Sequence, residues 1–100
     1  MVNQIQDNSE IPTQGVVVID FFATWCGPCQ RIAPAYEELA KKMTKVTFLK
    51  VDVDEAGEVA ELYQIRAMPT FIILRNGNIV TKIEGADLAR VMSVLEGLGF

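Results

Sequence analysis

The segment VVVIDFFATWCGPCQRIAP, residues 16–34, decides the fold, because a buried strand runs directly into an amphipathic helix there. Residues 16–23 are apolar and rich in β-branched side chains except for Asp20, as expected of a central strand covered on both faces. Pro34 removes one backbone donor from the helix, so we expect a kink in its axis. Apolar side chains recur at helical spacing after the two cysteines: Ile32, Ala35, Tyr36, Leu39, Ala40 and Met43.

The residues that follow supply partners for that strand. Residues 45–54 predict a second strand, which a right-handed crossover places parallel to the first. Residues 55–65 predict a short helix. Residues 70–83 predict a β-hairpin with Asn76-Gly77 at its turn, because this dipeptide tolerates positive φ at both central positions.

The two ends of the chain complete one α/β domain, which we expect to span residues 1–100. Residues 2–5 predict a short strand, and a helical turn is expected after Asn8. The predicted architecture is a mixed β-sheet, parallel in its first half and antiparallel at the C-terminal hairpin, with helices on both faces. A last apolar stripe predicts a C-terminal helix: Leu88, Val91, Met92 and Leu95.

Composition excludes several classes of function. The net charge is −4, whereas nucleic-acid binding and docking on an anionic membrane both need a cationic surface. No apolar run approaches the roughly 18 residues that a membrane span requires. The first ten residues lack the basic and apolar regions of a signal peptide. We therefore expect a cytoplasmic protein that binds neither nucleic acid nor membrane.

The chain has two cysteines, three positions apart, and no histidine. Cys26 falls at the predicted helix N-terminus, where free N–H groups and the helix dipole stabilise a thiolate and lower the pKa of its thiol. Cys29, one turn further on, is close enough to form a disulfide with it. Gly27 allows a tight turn, and Pro28 needs no N–H in the first helical turn. The pattern predicts redox chemistry.

Two other interpretations of the cysteine pair are weaker. A zinc site normally needs four ligands, and neither a third cysteine nor a histidine is available within one chain. A purely structural disulfide would close a very short loop, which removes little unfolded-state entropy. Such disulfides are also rare in reducing compartments. We therefore predict no bound metal.

Asp20 is unusual because four apolar residues precede it and two phenylalanines follow it. Burial of its carboxylate is costly, so desolvation should raise its pKa, unless water or backbone donors reach it. In the absence of histidine, Asp20 is the best candidate to accept the proton of Cys29. Lys50 is either a solvated strand lysine or a cation that lowers the Asp20 pKa.

The sequence resembles the thioredoxin family over nearly its whole length. The resemblance rests on Trp25-Cys26-Gly27-Pro28-Cys29, on Asp20 and Lys50, on Met68-Pro69-Thr70 and on Gly85-Ala86. Read alone, Pro69 could simply mark the start of a strand and Gly85 a turn.

The resemblance implies that the Met68-Pro69 bond is cis and faces the dithiol. It also implies that Trp25, Gly27, Pro28, Met68, Pro69, Gly85 and Ala86 form a groove for substrates.

The resemblance implies reduction of disulfide-containing protein substrates by a protein that thioredoxin reductase recycles, and we expect it to be a monomer. Cys26 is expected to be the exposed, reactive thiol that attacks the substrate disulfide, and Cys29 the shielded thiol that resolves the mixed disulfide. No bound cofactor is expected, since the chain has no dinucleotide-binding G-x-G-x-x-G sequence. The Gly-Pro pair between the cysteines resembles reducing members of the family more than oxidising isomerases. Two alternative functions are a redox-gated binding subunit and an isomerase-like thiol oxidant. A measured reduction potential separates the oxidant from the reductase.

Overall fold

The computed structural model describes all 100 residues and contains every element that the sequence predicts. A 3₁₀ turn covers Asn8–Glu10, where Asp7 and Glu10 form a capping box. None of the α-helices combines the length and the apolar character that a membrane crossing requires. The strands and α-helices, in chain order, are β1 Val2–Gln4, β2 Val16–Phe22, α1 Gly27–Lys42, β3 Thr47–Asp52, α2 Gly57–Leu62, β4 Thr70–Arg75, β5 Asn78–Glu84 and α3 Leu88–Gly97.

The sheet is mixed, as predicted, with strand order β1-β3-β2-β4-β5. The central strand β2 pairs parallel with β3 and antiparallel with β4, while β4 and β5 form the antiparallel hairpin. This register places Asp20 opposite Lys50 on one side and opposite Phe71 on the other. The two polar residues singled out from the sequence are therefore neighbours across parallel strands.

Helices cover both faces of the sheet, again as predicted. Val16 and Val18 belong to the apolar cluster that contains residues of α1 and α3. Val17 and Ile19 belong to the cluster on the other face, together with residues of α2. Because side chains alternate along a strand, Asp20 shares the face of Val16 and Val18 and is directed towards the layer that contains α1.

The hairpin confirms the turn prediction and adds an irregularity. Asn76 and Gly77 have φ values of 50° and 84°, so both central residues lie in the left-handed region. The pairing register shifts between Ile73 and Leu74, which leaves Val80 as an extra residue on β5. A bulge of this kind leaves the extra residue unpaired and increases the local twist of the strand.

Two residues assigned to apolar stripes are in fact exposed. Ala35 lies at the margin of the buried face of α1, and Met92 of α3 is 44% exposed. In α3 the buried side is centred on Val91 and Leu95. The helices therefore present narrower apolar faces than the sequence pattern suggested, because successive residues are rotated by about 100° around the axis.

Candidate active site

Cys26 caps the N-terminus of α1. Its backbone is extended, with φ −82° and ψ 110°, and its Sγ accepts a hydrogen bond from the backbone N–H of Cys29 at 3.2 Å. Gly27 and Pro28 form the first two helical positions, as the sequence predicted. The two cysteines are joined by a disulfide, with their Cα atoms 5.3 Å apart. The N–H groups of the helix terminus are thus directed at the sulfur that would carry a thiolate.

Exposure does not distinguish the two cysteines. Cys26 is 5% exposed and Cys29 is 3% exposed, so the expectation of an exposed Cys26 beside a shielded Cys29 is wrong. Both cysteines pack within a small apolar cluster that Phe22, Val53 and Met68 border. These neighbours reduce the accessible surface of both sulfurs in the disulfide form.

The two sulfurs differ instead in their neighbours. Cys26 Sγ lies 3.6 Å from the backbone carbonyl oxygen of Met68, on the side of the loop before β4. Cys29 lines a cavity that also contains Asp20. One cysteine therefore faces the backbone of a neighbouring loop, and the other shares a cavity with a buried carboxylate.

The Met68-Pro69 peptide bond is cis, as the resemblance implied. The Pro69 carbonyl accepts a hydrogen bond from the Gly85 N–H at 2.8 Å, which brings Gly85 and the exposed Ala86 beside it. Gly85 has φ +104°, and a Cβ built there would meet nothing within 4 Å. Its backbone conformation, rather than lack of space, is therefore what favours glycine.

Trp25 is 68% exposed, and its indole Nε1 donates a hydrogen bond to Asp54 Oδ2 at 2.9 Å. Asp54 follows β3 and was not identified from the sequence. The partners are 29 residues apart, and an acidic residue in a loop gives no sign of such a contact. The bond fixes the orientation of an exposed aromatic side chain directly before Cys26.

Asp20 is 4% exposed, and its Oδ1 has no hydrogen-bond partner. Burial raises the pKa of Asp20 from 3.8 to about 7, while the positive charge of Lys50 lowers it by a smaller amount. The Lys50 ammonium also lies 5.7 Å from the centroid of the Phe22 ring. The predicted burial of Asp20 is confirmed. The sequence left the net direction of its pKa shift open, because a cation at Lys50 opposes the effect of burial, and in the structure burial has the larger effect.

A cavity of about 80 Å³ connects these groups, with Asp20, Cys29 and Lys50 in its wall. A water molecule needs roughly 10–15 Å³ of such space, so several fit. Tyr36 and Glu37 of α1 also line the cavity, and neither was assigned to the site from the sequence. The cavity therefore brings Cys29, Asp20 and Lys50 to one common space.

Tyr36 joins α1 to the sheet above this cavity. Its hydroxyl lies 2.8 Å from the carbonyl oxygen of Leu49 and 3.2 Å from that of Val18. Burial and the nearby carboxylates of Asp20 and Glu37 raise the pKa of Tyr36 well above its usual range. The hydroxyl therefore stays neutral and acts as a fixed hydrogen-bond donor.

No group of three or more histidine, cysteine, aspartate or glutamate side chains is placed to hold a metal ion. The reactive groups that the site brings together are the two cysteines and the carboxyl group of Asp20. A reversible disulfide at a helix N-terminus, beside a cis proline and a buried carboxylic acid, defines the class of thiol–disulfide oxidoreductases.

Comparison with known proteins identifies the family. The family model described as Thioredoxin matches residues 2–96, and the chain belongs to the thioredoxin family. It is 46% identical over 96 residues to Thioredoxin 1 of Plasmodium falciparum, covering 96% of this chain and 92% of that protein. It is 43% identical to Thioredoxin-1 of Schizosaccharomyces pombe, covering 91% of this chain and 92% of the relative.

A solved structure agrees with this assignment. Reduced Schistosoma mansoni thioredoxin superimposes with a TM-score of 0.88 at 42% sequence identity, and the match covers 96% of both chains. Fold class and family are therefore confirmed. The protein is a thiol–disulfide oxidoreductase that reduces protein disulfides.

Proposed function

We propose that Cys26 is the nucleophile and Cys29 the resolving thiol in this reduction. The Cys26 thiolate attacks one sulfur of the substrate disulfide, and the departing substrate thiolate takes a proton from water. The Cys29 thiolate then attacks Cys26 Sγ, breaks the mixed disulfide and releases the second substrate sulfur as a thiolate, which takes a proton from water. Two electrons pass from the dithiol to the substrate, and Cys26 and Cys29 become a disulfide.

The different neighbours of the two sulfurs are the observation that carries this assignment. Cys26 Sγ is at the helix N-terminus and 3.6 Å from the Met68 carbonyl oxygen, so it faces the loop where a substrate would lie. Cys29 shares its cavity with Asp20. We assign Asp20 as the acceptor of the Cys29 proton, and Lys50 as the cation that limits the rise of its pKa.

The proposed docking strip for substrates surrounds Cys26. An extended segment of the substrate would hydrogen-bond the Met68 backbone in the manner of an added strand. Two observations support this placement: Trp25 is exposed, and the Gly85 N–H donates a hydrogen bond to the Pro69 carbonyl. The residues assigned to the docking strip are Trp25, Gly27, Pro28, Met68, Pro69, Gly85 and Ala86.

The proposed biological setting follows from the relatives. We assign thioredoxin reductase as the enzyme that returns the disulfide to the dithiol, and we propose a cytoplasmic monomer whose one domain spans residues 1–100. The family match over residues 2–96 supports the single domain. One solved structure at 32% identity concerns a yeast mitochondrial 1-Cys peroxiredoxin and the thioredoxin system, so oxidised peroxiredoxins are a reasonable first substrate to test.

Trapping of substrates tests the two cysteine roles. Cys29→Ser should accumulate a stable mixed disulfide with oxidised substrate proteins, because the resolving attack is lost. Cys26→Ser should trap little and lose turnover completely. The complexes are measured by non-reducing electrophoresis and mass spectrometry, with the double variant as the control. Equal trapping by the two single variants would contradict the assignment.

A further inference from the structure

We propose that a basic concavity beside the docking strip binds carboxylate side chains of the partner protein whose disulfide is reduced. This concavity of about 350 Å³ is lined by Arg66, Lys82, Ile83, Glu84 and Arg90. It therefore specifies a class of substrate: proteins with acidic residues close to their disulfide. The inference rests on the proposed docking strip at Met68 and Pro69.

The concavity adjoins that strip in the fold. Arg66 lies two residues before Met68 in the same loop. Glu84 pairs with Thr70, the residue directly after Pro69. The Gly85 N–H that follows Glu84 donates to the Pro69 carbonyl. A segment docked along the strip therefore passes close to this surface.

The charges of the concavity oppose those of the whole protein. The chain carries 13 acidic and 9 basic residues, whereas the concavity contains three cations and one carboxylate, Glu84. None of the three cations is in an ion pair, since Lys41–Glu38 is the only one in the structure. The Lys82 ammonium donates to the Gln64 carbonyl at 2.9 Å, which orients it without neutralising it.

A neighbouring surface has the opposite sign. Glu58 and Glu61 of α2 line a separate concavity together with Leu62 and Gln64. The two concavities meet at Gln64, whose carbonyl accepts from Lys82, so cations lie on the β5 side and carboxylates on the α2 side. Acidic residues of a partner are attracted to one of these surfaces and repelled by the other, which also orients the partner.

The proposal can be decided because local and overall charge predict opposite preferences. A net charge of −4 alone would favour cationic substrates through long-range attraction. The basic concavity favours anionic ones. The test uses three disulfide-bridged peptides that differ only in whether glutamate, glutamine or lysine lies beside the cysteines. Their relative rates of reduction distinguish the preference predicted from overall charge from the preference predicted from the concavity. An uncharged disulfide, bis(2-hydroxyethyl) disulfide, measures the rate of disulfide reduction without any contribution from substrate charge.

We expect kcat/KM for the glutamate peptide to exceed that for the glutamine peptide by about fivefold at low salt, with the lysine peptide slowest. The preference should disappear at about 1 M salt, where the screening length falls to roughly 3 Å. Arg90→Glu should reverse the order, and Arg90→Lys should retain it. All variants should reduce the uncharged disulfide at the same rate.

Arg75→Glu is the matched control, because it makes the same charge change at the far end of β4, about 17 Å along the strand from Thr70. A preference for the lysine peptide, or equal effects of Arg90→Glu and Arg75→Glu, would overturn the proposal. Failure to reduce the uncharged disulfide would instead count against the dithiol chemistry. In that case binding of the three peptides, with serine in place of both cysteines, decides the charge preference by itself.

Discussion

Asp20 and Asp52 are carboxylates on adjacent strands, and each is only 4% exposed. Asp52, at the end of β3, accepts the backbone N–H groups of Asp54 at 2.9 Å and of Glu55 at 3.4 Å. Asp20, inside β2, has an Oδ1 without any partner. Equal burial thus has two different results: one carboxylate holds a turn together, while the other remains available to take up a proton.

The largest contrast is expected in stability. Above pH 7 the ionised Asp20 destabilises the folded protein, because its pKa is raised from 3.8 to about 7. Asp20→Asn should therefore raise the free energy of unfolding at pH 8 by up to about 4 kcal/mol, three pKa units at 1.36 kcal/mol each. The gain should shrink as pH falls from 7 and vanish near pH 4. Asp52→Ala should instead destabilise by about 1–3 kcal/mol, since two backbone donors lose their acceptor.

Denaturant unfolding of the oxidised protein between pH 4 and pH 9 measures both effects. Destabilisation by Asp20→Asn at pH 8 would show that Asp20 is a satisfied structural carboxylate like Asp52. It would remove the physical basis for its role as a proton acceptor.

A smaller contrast is expected in turnover. A thiol with an ordinary pKa of 8.5 is only about 3% ionised at pH 7, so Cys29 resolves slowly without a base. Asp20→Asn should slow reduction of a protein disulfide at pH 7 on the order of tenfold. Alkylation of reduced Cys26 should continue. Asp52→Asn keeps its acceptor oxygen and should leave turnover unchanged. Equal rates for the two variants would show that Asp20 has no role in turnover that Asp52 lacks.

The sequence predicted most of the elements that position Asp20 and the two cysteines. The continuous apolar run in residues 16–23 placed Asp20 in a central strand, and helical spacing placed Cys26 and Cys29 at the start of α1. The Asn76-Gly77 pair fixed the hairpin turn. These features depend on local chemistry and short-range periodicity, which one sequence contains.

Other features depend on residues that are distant in the chain. The bond between Trp25 and Asp54, the Tyr36 hydroxyl above the cavity and the basic concavity all join separate elements. The burial of Cys26 was also missed, because it depends on side chains from several loops. The role of Asp52 was not predicted, since the sequence does not show whether a carboxylate at a strand end is solvated or hydrogen-bonded.

The smallest expected effect concerns Lys50, which lies opposite Asp20 in the sheet. Its positive charge lowers the pKa of Asp20, so Lys50→Gln should raise that pKa. The acidic limb of the pH–turnover profile should then move to higher pH, while rates at about pH 9 stay close to those of the unmodified protein. Lys41→Gln, at the exposed end of α1, is the control. A profile that does not move would mean that Lys50 is only a solvated strand lysine.

Direct titration of the Asp20 carboxyl group tests the central claim. The oxidised protein, labelled with ¹³C at aspartate side-chain carboxyl carbons, is followed by NMR from pH 3 to pH 10. The Asp20 signal is assigned by its absence in Asp20→Asn. Burial without a partner for Oδ1 predicts a midpoint at about 7. A midpoint near 4 would show a carboxylate that water or donors stabilise, and would contradict the assignment of Asp20 as the proton acceptor for Cys29.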